Sequence, residues 1–184
     1  MPRLIHLNGP PGVGKSTLAK RYVRDHPGVL NCDVDTLRTL IGGWESDFLR
    51  AGELIRPVAL AVIEAYLASG NDVVLPQLLV DPAEVARFEE AAASAGARFV
   101  ERILMEESAD AVVARFTRRG ASDGGDPWHD QVQAIVAASG GDAALADYHV
   151  ALEHLLPDRP DAVVIMSVEG AVDETYQELI DSLG

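Results

Sequence analysis

The residues that can do chemistry begin at position 9. Gly9-Pro10-Pro11-Gly12-Val13-Gly14-Lys15-Ser16 fits the spacing G-x-x-x-x-G-K-[ST]. Glycines at these spacings let successive backbone N–H groups curl around phosphate oxygens. A helix starting at Lys15 adds unpaired N–H groups and a favourable dipole. Lys15 has the reach and charge for β- and γ-phosphates, Ser16 carries the hydroxyl that ligates Mg²⁺, and Thr17 completes the first turn. A glycine-rich turn matching this pattern by chance would lack the apolar strand before it and the helix after it. The motif therefore names a nucleotide, ATP or a related NTP, together with Mg²⁺. It leaves the reaction open.

Two carboxylates follow at Asp33 and Asp35, where a second short apolar run ends. In open α/β sheets ligands bind at the carboxyl ends of the strands. Transfer to an alcohol requires a carboxylate beside the attacking hydroxyl, to orient it and to take its proton. Asp35 is the candidate base, and Asp33 a candidate for substrate contact. Arg38, one turn further, is placed for a phosphate or for developing charge. A second role is open to Asp35, as the N-cap of the helix that begins near Thr36. The third strand ends in Pro76-Gln77-Leu78-Leu79. It lacks the acidic residue that motors and switch proteins place there to hold magnesium. Gln77 is its one polar side chain, a candidate for acceptor contact.

The elements that must position these groups are legible as alternating strands and helices. Strands are expected over 4–8, 29–32, 72–75, 98–105 and 162–168. Helices are expected over 15–24, from 33 onward, 51–69, 82–95, 108–119, much of 128–156, and 171–183. The long helix carries Leu54, Val58, Val62, Ala65 and Tyr66 at helical spacing, and Pro57 marks a kink or its true start. Gly120 is expected to close the helix that Ser108 caps. Residues 120–127 read as a mobile loop, the hinge of a lid spanning about 108–130. Strand–helix alternation implies a mostly parallel five-stranded sheet covered on both faces, the three-layer α/β sandwich of P-loop proteins, as a single domain over 1–184.

Bulk properties narrow the partners. Of 184 residues, 48% are hydrophobic and 24% charged, ordinary for a globular protein, and the formal net charge is −14. That charge disfavours general affinity for nucleic acid or an anionic membrane. No apolar run reaches transmembrane length, and the N-terminus lacks the form of a signal peptide. A single cysteine, Cys32, excludes an internal disulfide and a cysteine-rich zinc cluster, and fits a reducing, cytoplasmic setting. His149 and His154 are five apart without cysteine partners, so zinc is not expected. Trp44, Trp128 and His129 flank glycine-rich loops, where packing is the expected role. Arg56 reads as a surface arginine. Nothing in the sequence sets an oligomeric state.

"GPPGVGKSTLAKRYVRDHPGVLNCDVDTLRTLI", residues 9–41, resembles the start of the polynucleotide 5′-kinase family, in which a phosphate loop is followed by aspartate-x-x-arginine after strand two. The resemblance implies Asp35 as general base and Arg38 as an acceptor- or phosphate-binding arginine. "ARFTRRG", 114–120, is similar to that family's lid helix. This implies a phosphate contact for Arg119, with Arg115 and Arg118 as neighbours. The chain departs from the family at Pro76–Leu79, where the polynucleotide kinases carry a polar stretch. It also resembles the chloramphenicol and tunicamycin-resistance phosphotransferases and the zeta-toxin-like kinases. The expected function is ATP-dependent transfer of a phosphoryl group to a hydroxyl of a small molecule, an antibiotic or nucleoside-like compound among the options. A polynucleotide 5′-hydroxyl kinase and a nucleotide-binding regulatory ATPase are the alternatives.

Overall fold

A computed structural model describes residues 1–122 and 127–184, with side chains outside the description at 119–122, 127–131 and 138. Close contacts group the chain into two compact units, one of residues 1–8 and 15–102, the other of residues 9–14 and 103–184. Strand β4 (Arg98–Met105) begins in the first and ends in the second.

The first unit is built on β1 (Arg3–Asn8), β2 (Leu30–Asn31) and β3 (Val73–Pro76). β1 and β3 run parallel with Leu4 opposite Val73 and Leu7 opposite Pro76, and Leu30 of β2 lies opposite Val73. Parallel strands covered on both faces read as continuous apolar runs. Leu4, Ile5, Leu7, Val73, Val74 and Leu75 are accordingly all fully buried. Four helices join them: α1 (Lys15–Asp25), α2 (Val34–Arg38), α3 (Phe48–Ala68) and α4 (Pro82–Ser94). Leu4, Val73 and Leu75 share one core with Ile55, Ile63 and Leu67 of α3 and Val85 and Phe88 of α4. Asp81 caps α4 by accepting from the Ala83 N–H at 2.9 Å, with Pro82 at the first helical position, where no N–H is needed.

The second unit holds the end of β4, then α5 (Ala109–Ser122), α6 (Pro127–Ala138), α7 (Asp142–Leu155), β5 (Val163–Met166) and α8 (Val172–Leu183). Val112, Phe116, Val136 and Leu145 form its buried helical core. The whole sheet is five-stranded and all-parallel, in the order β2-β3-β1-β4-β5. That is the α/β architecture expected from the alternation.

Three local expectations are corrected. The buried face of α3 is Ala51, Gly52, Ile55, Ala59, Ile63 and Leu67, whereas Leu54, Val58 and Val62 are exposed. Two apolar stripes lie one residue apart on this helix, and the stripe with the small residues is the one that approaches the sheet. Pro57 lies inside α3, which starts at Phe48. Gly120 does not close α5, which runs to Ser122. Residues 123–126, the middle of the expected loop, lie outside the described residues.

Candidate functional site

In the second unit residues 9–14 of the phosphate-loop motif form a tight turn. Gly9 has φ +145°, and a Cβ there would sit 2.5 Å from the Leu104 carbonyl oxygen of β4. Any side chain at Gly9 would push the loop off the strand. Gly14 has φ +105°, and the space a Cβ would take there lies 3.5 Å from Arg115 Nη2. Arg115 is thus brought to the loop from α5. Its Nη1 meets the Glu106 carboxylate and donates to the Ser167 carbonyl at 3.1 Å and hydroxyl at 3.0 Å. Among the described residues its Nη2 has no hydrogen-bond partner. The Ser167 hydroxyl in turn donates to the Val13 carbonyl at 2.8 Å. Arg118 instead turns outward, to Glu169, at 2.9 Å from Nε. The side chain of Arg119, the arginine expected at the phosphates, lies outside the described residues, as do Trp128 and His129.

In the first unit, Ser16 and Asp33 meet. The Ser16 hydroxyl donates to Asp33 Oδ2 at 3.1 Å. Asp33 Oδ1 accepts from the backbone N–H groups of Asp35 at 3.1 Å and Thr36 at 3.3 Å. Asp33, and not Asp35, is therefore the N-cap of α2. The cap is two residues earlier because the chain is still extended at Asp33, while Val34 is already helical. Capping leaves one Asp33 oxygen for Ser16. A hydroxyl and a carboxylate are hard oxygen donors of the kind Mg²⁺ takes. Among the described residues no three His, Cys, Asp or Glu side chains form a metal cluster, so the donor set fits an ion held mainly by phosphate and water.

Asp35 lies two residues along, in the first turn of α2, 36% exposed, with Arg38 Nη1 3.2 Å from its Oδ1. Desolvation raises its carboxyl above the ordinary value. Arg38 opposes this, Asp33 adds to it, and Lys15 lowers it. Arg38 is buried, its guanidinium 3.7 Å above the Phe48 ring and 3.2 Å from where a Cβ on Gly52 would be. Cation–π stacking fixes the plane of the guanidinium as the Asp35 pairing fixes its direction. The segment after α2, residues 39–46, lines an open recess of about 370 Å³ that includes Trp44.

The strand-three segment is held from β1. The Asn8 side chain brackets Leu79, donating to its carbonyl at 2.8 Å and accepting from its N–H at 3.0 Å. His6 Nε2 donates to the Gln77 carbonyl at 2.8 Å, while His6 Nδ1 lies 3.2 Å from Glu101 of β4. Gln77 Oε1 is buried and has no hydrogen-bond partner among the described residues. Arg56, expected at the surface, is half-buried and pairs with Glu84 at 3.1 Å. Asn8, His6, Glu101, Glu106 and Ser167 are additions to the residues predicted from sequence. Their one signal was a polar side chain inside, or directly following, an apolar strand.

Comparison with known proteins fits this geometry. The sequence profile of the AAA_33 family, described as an AAA domain, matches residues 4–138. The chain belongs to this family. Its AAA domain thus covers β1, the phosphate loop, Asp33–Arg38, Pro76–Leu79 and α5. No curated protein matches the sequence. Among solved structures, a tunicamycin resistance protein of Deinococcus radiodurans has a TM-score of 0.65 at 18% identity, covering 100% of this chain and 96% of its own. A gluconokinase from Sinorhizobium meliloti 1021 has a TM-score of 0.62 at 20% identity, covering 99% of this chain and 91% of its own. At these identities the likeness is one of fold. Among the described residues of this AAA_33 chain, no helix is long and apolar enough to cross a membrane.

Proposed function

We propose that this chain is a phosphotransferase. It moves the γ-phosphoryl group of ATP, or a related NTP, to a hydroxyl of a small-molecule acceptor. The observation that carries the reading is the Ser16–Asp33–Asp35 arrangement. A carboxylate that meets the metal-type hydroxyl of the loop is followed, two residues on, by a second carboxylate with its own arginine. A switch protein or regulatory ATPase has no use for that second, acceptor-type carboxylate. The likeness in fold to a gluconokinase and a tunicamycin resistance protein is in keeping with a small acceptor, a polyol or an antibiotic-like compound.

The roles follow from chemistry. Backbone N–H groups of Gly9–Gly14, with Lys15 and Thr17 next in the chain, hold the phosphates, and Arg115 adds the free arm of its guanidinium. Arg119 is assigned to the same phosphates by its place in the lid helix. Bound Mg²⁺ would neutralise charge on the β- and γ-phosphates, with Ser16 as ligand and Asp33 behind it. Asp35 accepts the proton of the acceptor hydroxyl as its oxygen bonds to the γ-phosphorus and the bond to the β–γ bridging oxygen breaks, releasing ADP. Arg38 holds Asp35 in place and offers charge to the acceptor. Gln77, whose Oε1 has no hydrogen-bond partner among the described residues, is the one polar side chain that the apolar Pro76–Leu79 segment offers the acceptor. The recess at residues 39–46 is at the small end of ligand-pocket volumes, which suits a small molecule.

The net charge of −14 argues against a polynucleotide acceptor. With Cys32 as its only cysteine, the chain is assigned to a reducing, cytoplasmic setting. Incubation with MgATP and a panel of antibiotics, sugars, sugar acids, nucleosides and 5′-hydroxyl oligonucleotides tests the reading. A small molecule should gain the mass of one phosphoryl group. Phosphorylation of oligonucleotides alone, or ATP turnover indifferent to every acceptor, would contradict it.

A further inference from the structure

We propose that Ser167 is a positioning residue for the phosphate loop. It would fix the direction of a phosphate-binding N–H from the far end of the sequence. This inference rests on the nucleotide reading of the loop given above.

Every hydrogen-bonding group of Ser167 is engaged, and the residue is 4% exposed. Its N–H donates to the Met105 carbonyl at 2.8 Å, which continues the β4–β5 pairing past the strand and pins the backbone. Its carbonyl accepts from Arg115 Nη1. Its hydroxyl accepts from the same nitrogen at 3.0 Å, which leaves the hydroxyl hydrogen for the Val13 carbonyl at 2.8 Å. A hydroxyl oriented by a cation on one side has a set direction for its own proton.

The consequence lies in the peptide plane. Val13 O and Gly14 N–H belong to one peptide unit, and the chain has no cis peptide among the described residues. In a trans peptide the N–H points opposite to the C=O. Anchoring the Val13 carbonyl on Ser167 therefore aims the Gly14 N–H the other way. That N–H has no hydrogen-bond partner among the described residues. Gly14 has φ +105°, a region where a glycine peptide is free to rotate unless something holds it. Ser167 is that hold. The same contacts keep Arg115 Nη1 occupied, so that Nη2 is the arm presented at Gly14. Ser167 contacts no phosphate in this account. It acts through Val13 and Arg115.

Calorimetric titration with MgATP and with inorganic tripolyphosphate tests the proposal, on the full chain as wild type, Ser167→Ala, Ser167→Thr and Ser167→Cys. Ser167→Ala should weaken both probes alike, by about tenfold, the measure of one well-formed hydrogen bond. Ser167→Thr keeps the hydroxyl and should stay within about threefold of wild type by the same measure. If Ser167→Ala fails to fold, the comparison of Ser167→Cys with Ser167→Thr decides, with Cys weaker for both probes. Weakening of ATP with tripolyphosphate unchanged would place Ser167 at the base and overturn the proposal. A lowered Tm with both affinities unchanged would make it merely structural and also overturn it. Wild-type protein that binds neither probe would remove the nucleotide reading itself, a separate outcome.

Discussion

At the scale of the residue, two aspartates two positions apart do different work because their surroundings differ. Asp33 is 8% exposed and divides its oxygens between the α2 cap and Ser16. Asp33→Asn keeps an oxygen for the cap but presents a neutral group to Ser16. Helix stability should fall by less than about 1 kcal/mol, while the Mg²⁺ concentration for half-maximal transfer should rise severalfold, read from a magnesium titration of turnover. Asp35 is more open, and its carboxyl is raised, chiefly by desolvation, against the pull of Arg38. A base must be deprotonated to accept a proton. Transfer should therefore be lost on acidification through a limb centred above the ordinary aspartate value of about 3.9, as measured in a pH–rate profile. The same shift has a stability sign: the folded state holds this proton more tightly than the unfolded chain. Its contribution is most favourable at acid pH and declines as pH rises from the ordinary aspartate range through the raised folded value. Cys32, by contrast, is pushed up to about 12 by burial and stays a thiol at neutral pH.

At the scale of the element, what the sequence made legible depended on how local the signal was. β4 spans Arg98–Met105, the bounds expected, and Asp81-Pro82 starts α4 because a cap and a first-turn proline are adjacent in sequence. The phosphate loop and Asp33–Arg38 were readable for the same reason: each is a contiguous motif. α3 was not. Its two apolar stripes are equally periodic, and the choice between them is made by tertiary contact, through the small residues Ala51, Gly52 and Ala59. The difference is measurable. Ile63→Ala, at a fully buried position, should cost about 2–5 kcal/mol, whereas Val62→Ala, 38% exposed, should cost well under 1 kcal/mol. Denaturant unfolding of the two variants reads both. Equal costs would mean that α3 packs by the other stripe.

At the scale of the whole molecule, the parts of the site that escaped the sequence are those that join distant segments. Asn8 finds Leu79 across 71 positions, and Ser167 finds Val13 across 154. No spacing rule links such pairs, and single polar residues in apolar strands were the visible trace. The fold itself was legible because alternation of strand and helix constrains topology globally. Acceptor identity, on the proposed reading, depends on the shape of the site around Gln77, and local pattern does not encode it. The acidic whole adds a constraint: a chain of net charge −14 should favour compact acceptors over a phosphate backbone. The proposed reaction is transfer to a small-molecule hydroxyl with Asp35 as base. Its most direct test is the acceptor panel run with wild type and Asp35→Asn side by side, with MgATP affinity measured on both. Wild type should yield a phosphorylated small molecule, and Asp35→Asn should lose at least about a hundredfold in rate with ATP affinity retained. Normal transfer by Asp35→Asn would contradict it.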